Sequence, residues 1–323
     1  MKTPAFWYVK KSFLSRLLRP IGKIYGWTVA RRFKRTKPYQ PNIPVICVGN
    51  LSVGGTGKTP VCLALGKILQ EKGIRFFFLN HGYKAQQKGV IVDTHQMTAV
   101  DVGDEALLMA ENAPTVVDKN RARGAQIALR HQAEAIIMDD GFQNPGLIKT
   151  LSFVVVDGKT GFGNGEMIPA GPLREPVGKG LLRADAVIVV GEDKTDVCQD
   201  IQRIDAELPI FMGHFEPDTR TILSLTGKDV VAFAGIGQPN KFFDMLSEKG
   251  INIVKKVSFP DHYSYTRFDV EQLMNDAGGL PLVTTTKDFV KVPVDIRSGI
   301  QVISGEFIFD KPEEIENLIQ GIL

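Results

Sequence analysis

The residues Ser52-Val53-Gly54-Gly55-Thr56-Gly57-Lys58-Thr59-Pro60 follow directly on the apolar run Pro44-Val45-Ile46-Cys47-Val48. A buried strand, a glycine-rich turn and a helix, in that order, make a loop that wraps phosphate. Glycines at 54, 55 and 57 let backbone N–H groups turn inward with no Cβ in the way. Lys58 is expected to reach the β- and γ-phosphates and the Thr59 hydroxyl to ligate Mg²⁺. The helix expected from Thr59 to Glu71 aims its positive end at the same anion. Ser52 departs from the spacing G-x-x-x-x-G-K-[ST], which has glycine at that place. A glycine-rich turn that binds nothing is the plain alternative.

The other half of such a site is a strand ending in acid. Ala135-Ile136-Ile137-Met138-Asp139-Asp140-Gly141-Phe142 delivers two adjacent carboxylates to a strand end. Open α/β sheets bind ligands at that edge, so one of Asp139 and Asp140 is expected to hold the metal. Other polar clusters also close strand patterns: Asn80-His81-Gly82-Tyr83, Phe259-Pro260-Asp261-His262-Tyr263 and Thr286-Lys287-Asp288. Val102-Gly103-Asp104-Glu105-Ala106 opens a helix, where two carboxylates in the first turn also suit the helix dipole. A histidine beside aspartate in a proline-bounded loop can act as a general base or orient one; an exposed loop histidine is the alternative.

The elements that must position these groups can be read from the alternation of patterns. Apolar strand patterns at 44–48, 75–79, 135–138, 152–156 and 186–190 are separated by helical or loop segments. This predicts an α/β fold, a doubly wound, mostly parallel sheet of the P-loop NTPase type over residues 41–218. Gly-Pro-rich residues 158–176 form a long loop, which in a compact domain is usually functional. A second series begins near Thr221, with strands at 230–234 and 252–257, helices at about 239–249 and 267–275, and a strand from Leu282. It predicts a smaller α/β domain over 219–323. No internal repeat or low-complexity tract is evident.

Charge is unevenly spread. The chain has 39 basic and 36 acidic residues, yet residues 1–70 hold 13 Lys and Arg and no acid. Within residues 1–40, Phe6, Trp7, Phe13, Leu14, Leu17 and Leu18 begin an apolar series at helical spacing that continues through Ile21, Ile24 and Tyr25. Lys10, Lys11, Arg16, Arg19 and Lys23 interleave with it, and Pro20 is expected to divide the segment into two helices. Such a segment suits the interface of an anionic bilayer. A helix packed on the core with a basic outer face and a nucleic-acid contact are the other readings; the bilayer is expected, and no nucleic-acid partner. The three cysteines (Cys47, Cys62, Cys198) lack metal-ligand spacing and suit small core residues of a reducing compartment. Neither a secretory leader nor an apolar run of 18 residues is evident, so a cytosolic enzyme is expected.

These blocks in order, together with Gly49-Asn50-Leu51, Gln143 and Pro169-Ala170-Gly171-Pro172-Leu173-Arg174-Glu175-Pro176, closely resemble the tetraacyldisaccharide 4′-kinase family, the lipid A 4′-kinases of Gram-negative bacteria. The resemblance runs from the N-terminal amphipathic segment to Lys287-Asp288. It implies ATP-dependent phosphorylation of the 4′-hydroxyl of a tetraacylated glucosamine disaccharide 1-phosphate, the lipid A precursor. It also implies a peripheral enzyme on the cytoplasmic face of the inner membrane, whose smaller domain closes over the nucleotide; a monomer is expected. By position, Asp104 becomes the base for the sugar hydroxyl with His262 tuning it. Lys58 serves the phosphates; Thr59, Asp139, Asp140 and Glu105 lie in the Mg²⁺ region; Arg174, Asn80 and His81 face phosphate or substrate. The chain departs from the family pattern at His81, where arginine is usual, at Asn144, where histidine is usual, and at Lys149-Thr150. Two rivals fit less well. A partitioning-type ATPase switch has lysine where Val53 stands, and a GTPase needs N-K-x-D where Asn240-Lys241-Phe242-Phe243 ends in phenylalanine.

Overall fold

A computed structural model describes residues 4–323. Its strands are β1 (Val45–Gly49), β2 (Phe76–Asn80), β3 (Val90–Ile91), β4 (Thr115–Val117), β5 (Ala135–Asp139), β6 (Leu151–Asp157), β7 (Ala186–Val190) and β8 (Ile210–Pro217), followed by β9 (Asp229–Ala234), β10 (Asn252–Ser258), β11 (Leu282–Thr285), β12 (Ile300–Ile303) and β13 (Gly305–Phe309). The first sheet has nine strands in the order β13-β8-β7-β6-β1-β5-β2-β4-β3. Only its two edge strands, β13 and β3, pair antiparallel. The strands β1, β2, β5 and β6 are buried at every position because both faces are covered. Successive side chains point to opposite faces. Val45, Cys47, Ile136, Met138, Val154 and Val187 pack one core. Ile46, Val48, Ile137, Phe153, Val155 and Ile188 pack the other. β1 lies between β5 and β6, where the chain's direction of travel across the sheet reverses, so a crevice opens at its carboxyl end.

The second sheet is parallel, in the order β10-β9-β11-β12. Its cores are held by Phe242, Phe243, Leu246 and Ala232 on one side and by Phe233, Tyr265, Val270 and Leu273 on the other. The division expected at 219–323 needs one correction. β13 returns to pair with β8, and Phe307, Phe309, Ile315 and Ile319 join the core of the first sheet. The smaller domain is therefore an insertion closed on both sides by the larger one. The physical reason is the period-2 apolar pattern of β13, which finds an unpaired edge at β8.

The amphipathic segment also differs from expectation. Helix α1 runs unbroken over Phe13–Arg35 with Pro20 inside it. Pro20 and Arg16, whose carbonyl loses its donor, are both exposed, so water replaces the missing backbone bond. Phe13, Leu17, Ile21, Ile24 and Trp27 stay more than half exposed. None of the described helices is long and apolar enough to cross a membrane.

Candidate active site

The carboxyl ends of the two sheets face each other across a cleft of about 2240 Å³. From the larger domain come the loop after β1, Asp139 and Asp140 after β5, and Asp157 at the end of β6. From the smaller one come Gly235–Gln238 after β9, the Asp261–His262 turn after β10, and Lys287 after β11.

Helix α2 (Lys58–Glu71) begins where expected, with Gly57 as its N-cap at φ 89°. That left-handed conformation suits glycine and turns the following amides into the cleft. The N–H of Val53 donates to Pro172 O at 2.8 Å and that of Thr56 to Gly54 O at 3.1 Å. Those of Gly54, Gly55, Gly57, Lys58 and Thr59 have no acceptor among the described residues outside the loop. The phosphate cradle is thus narrower than residues 52–59: Ser52 bridges to Leu173, and Val53 is tied to the proline-rich loop.

Beneath the loop, Asp139 is fully buried. Asn80 Nδ2 donates to its Oδ2 at 2.8 Å and Cys62 Sγ lies 3.6 Å from its Oδ1. Burial, and then the charges of Glu105 and Asp140, push its carboxyl up to about 7. Asp140 stands in the opposite situation. Burial alone would raise it, but Lys58 at 3.6 Å and the Arg174 guanidinium at 2.7 Å hold it well below the usual carboxylate range. Asp140 is therefore the anchor of two cations, and the buried carboxylate with no lysine or arginine side chain paired to it among the described residues is Asp139.

Across the cleft, His262 Nδ1 donates to Asp104, 3.0 and 2.9 Å from its two oxygens. His262 has φ 57°, which swings its ring out of the β10 loop toward the larger domain. Asp104 is only 5% exposed. The histidine bond and the Lys287 charge hold Asp104 well below its usual range in spite of that burial. The cleft wall here is His262, with Asp104 behind it. Lys287 donates to Glu105 at 2.9 Å and sits 4.0 Å from Asp104, and those charges raise its ammonium although burial opposes them.

The remaining expected residues divide. Arg174 lines the cleft. His81 is exposed, and partial burial followed by the charges of Arg121, Lys88 and Lys119 lowers its imidazole below the ordinary value. Asn80 differs from expectation: its amide bonds Asp139 and accepts the Gly82 N–H at 2.6 Å, so it fixes a carboxylate instead of reaching for substrate. Sequence reasoning missed three further groups. Buried Arg121 donates to Leu79 O and, at 2.6 Å, to Asp139 O. Lys287 was visible only as a strand-ending cation. Lys241 crosses the cleft to the buried Asp157, and no local pattern announces a pairing between residues so far apart in the chain.

Residues 14–323 match the family tetraacyldisaccharide-1-P 4′-kinase. The chain belongs to that family. The tetraacyldisaccharide 4′-kinase of Paramagnetospirillum magneticum is 45% identical, over 100% of this chain and 99% of the relative. That of Rhodospirillum rubrum is 44% identical, over 100% and 98%. The LpxK of Aquifex aeolicus, crystallised in complex with ATP, superposes with a TM-score of 0.77 at 29% identity, covering 96% of this chain and 99% of that one. Membership in a 4′-kinase family makes the chain a phosphotransferase and accounts for a phosphate loop facing a carboxylate–imidazole pair.

Proposed function

We propose that the protein transfers the γ-phosphate of ATP to the 4′-hydroxyl of a tetraacylated glucosamine disaccharide 1-phosphate. The observation that carries this reading is the Asp104–His262 pair at 2.9 Å, built from two domains and set across the cleft from the phosphate loop. Phosphoryl transfer requires positioning and charge neutralisation more than covalent help. The free amides of Gly54, Gly55 and Gly57 and the head of α2 bind the phosphates, and Lys58 neutralises the transferring group. Arg174, held by Asp140, presents its remaining N–H groups to phosphate or to the lipid headgroup.

The donor set fits Mg²⁺. A buried carboxyl driven up by two neighbouring carboxylates is a place short of one cation, and Mg²⁺ needs only one or two protein oxygens besides phosphate and water. Asp139 and the Thr59 hydroxyl would hold it, with Glu105, already bonded to Lys287, beside them; Asp140, paired with two cations, is the least suited. Bound there, the ion would supply neutralisation of the charge on the transferring phosphoryl group. The acceptor hydroxyl meets the dyad at His262. Asp104 holds the ring through Nδ1, and Nε2, which lies 3.7 Å from Asp261 Oδ2, takes the hydroxyl proton as the bond to phosphorus forms.

The exposed apolar stripe of α1, flanked by Lys and Arg, suits peripheral attachment to the cytoplasmic face of the inner membrane, where a four-chain substrate resides. The test is incubation with Mg-ATP and the tetraacyl disaccharide 1-phosphate in detergent micelles, read by mass spectrometry. A 1,4′-bisphosphate is expected; ATP hydrolysis indifferent to the lipid, with no such product, overturns the reading.

A further inference from the structure

Between α1 and the phosphate loop lies one segment, the loop over residues 158–176, and both of its ends are bonded. At the α1 end the bonds converge on Asn164. Its backbone N–H donates to Trp7 O at 2.7 Å. Its Nδ2 is shared by Ser15 Oγ at 3.2 Å, Phe6 O at 3.3 Å and Ala170 O at 3.0 Å, while its Oδ1 accepts from Glu166 N at 3.1 Å. Trp7, buried, donates Nε1–H to Pro169 O at 3.1 Å. The helix is seated closely as well. A Cβ at Gly22 would stand 2.9 Å from Met167 O, and one at Gly26 2.5 Å from Met167 Sδ.

At the other end the same loop is the outer wall of the phosphate cradle. Pro172 O accepts the Val53 N–H at 2.8 Å, and the Arg174 N–H donates to Leu51 O at 2.7 Å. Arg174 then carries its guanidinium to Asp140 at 2.7 Å. Leu173 closes the strap internally, donating to Glu166 O at 3.0 Å and accepting from Ile168 N at 2.9 Å. Few residues separate the seat of α1 from the loop that holds phosphate, and each step is a hydrogen bond.

We propose that Asn164 is a positioning residue for phosphoryl transfer: it fixes the strap that sets the phosphate loop and Arg174 to the seat of the amphipathic helix. The apolar stripe of α1 lies on the other side of the helix from this seat, so surface attachment and loop positioning are separable functions of one element. The proposal rests on the kinase reading, and product formation by the wild-type chain in the same assay separates a failure of the coupling from a failure of that reading.

The test compares Asn164→Asp with the double change Leu17→Ser, Ile24→Ser. Aspartate keeps the shape of asparagine but cannot donate to Phe6 O or Ala170 O. Asn164→Asp is expected to lower kcat on micellar substrate about tenfold or more while partition onto anionic vesicles stays unchanged. Amide exchange across Leu51–Gly57 is expected to quicken in the same variant. The double change is expected to do the reverse, weakening vesicle partition while amide exchange across Leu51–Gly57 stays unchanged. Should Asn164→Asp fail to fold, Trp7→Phe removes the bond to Pro169 O together with part of the buried ring, and is expected to lower kcat about threefold or more with the same exchange signature. Unchanged kcat, or a lowered kcat with unchanged exchange at Leu51–Gly57, overturns the proposal.

Discussion

The Lys58 ammonium rests 3.6 Å from Asp140, so the cradle's long cation is held at the mouth of the phosphate loop by a partner that Arg174 shares. Removing it, in Lys58→Ala, is expected to lower turnover by about 10²–10³-fold, the magnitude typical of losing one group that stabilises developing charge. A steady-state kcat within threefold of wild type would take Lys58 out of the chemistry. Asp104 and His262 share one hydrogen bond and so act as a unit. Asp104→Ala and His262→Ala are each expected to cost several orders of magnitude, and the double variant no more than the worse single one. Fully additive losses would mean two independent roles. Asp139 gives the pH dependence. Burial, then Glu105 and Asp140, raise it from an ordinary 3.8 to about 7, so the folded chain holds that proton more tightly than the unfolded one. The resulting stability is present at low pH and is lost as pH rises from about 4 to about 7. A cation can take the proton's place only once the proton has gone. Mg²⁺ is therefore expected to raise the melting temperature more at about pH 8 than at about pH 5.5; equal shifts would place the cation elsewhere.

Elements whose patterns were strong in the sequence stand where their periodicity put them, because a strand buried on both faces and a helix headed by Gly57-Lys58-Thr59 leave little choice. The helix Arg267–Ala277 shows how such ends are held: Thr266 and Asp269 form a reciprocal cap, with Thr266 Oγ1 accepting the Asp269 N–H. Thr266→Ala is expected to cost about 1 kcal/mol, read as a lowered urea midpoint of the smaller domain. Pro20 was misread because the rule against internal proline concerns a lost backbone bond, and that loss is small where the freed carbonyl meets water. For α1 as a whole, Leu17, Ile21 and Ile24 remain between 52% and 64% exposed, an arrangement that a helix packed on its own core would not leave. Exchanging all three for serine is expected to weaken binding to anionic vesicles about tenfold or more, since each buried aliphatic group contributes on the order of a kilocalorie per mole at an interface. Undiminished partition would return α1 to the role of a packed helix with a basic outer face.

At the scale of the molecule, what was legible in the sequence was local and what was not was the pairing of distant segments. The two halves of the Asp104–His262 dyad were each visible as polar clusters after regular elements, and only the family resemblance joined them. The return of β13 to the first sheet and the ion pair of Lys241 with Asp157 had no local signature, since both depend on how the domains face each other. That ion pair and the Lys287–Glu105 bond are two clasps, one at each end of the cleft. Asp157 is 1% exposed at the end of β6 and accepts a backbone N–H from Lys159 at 3.0 Å; among the described residues its charge has one cationic partner, Lys241, which belongs to the other domain. A buried carboxylate deprived of its cation is strongly disfavoured, and the expected relief is an outward swing of the smaller domain that lets water in. Lys241→Ala is thus expected to open the cleft without unfolding the chain: a larger radius of gyration by X-ray scattering, and a weaker apparent affinity for nucleotide because closure must be completed at binding. Asp157→Asn in the same chain removes the orphaned charge and is expected to restore part of that affinity. The cycle built from the two single variants and the double should then show a coupling of about 1 kcal/mol or more. A coupling near zero with an unchanged radius would mean that packing alone holds the domains together and that the clasp is a surface ornament of the closed form.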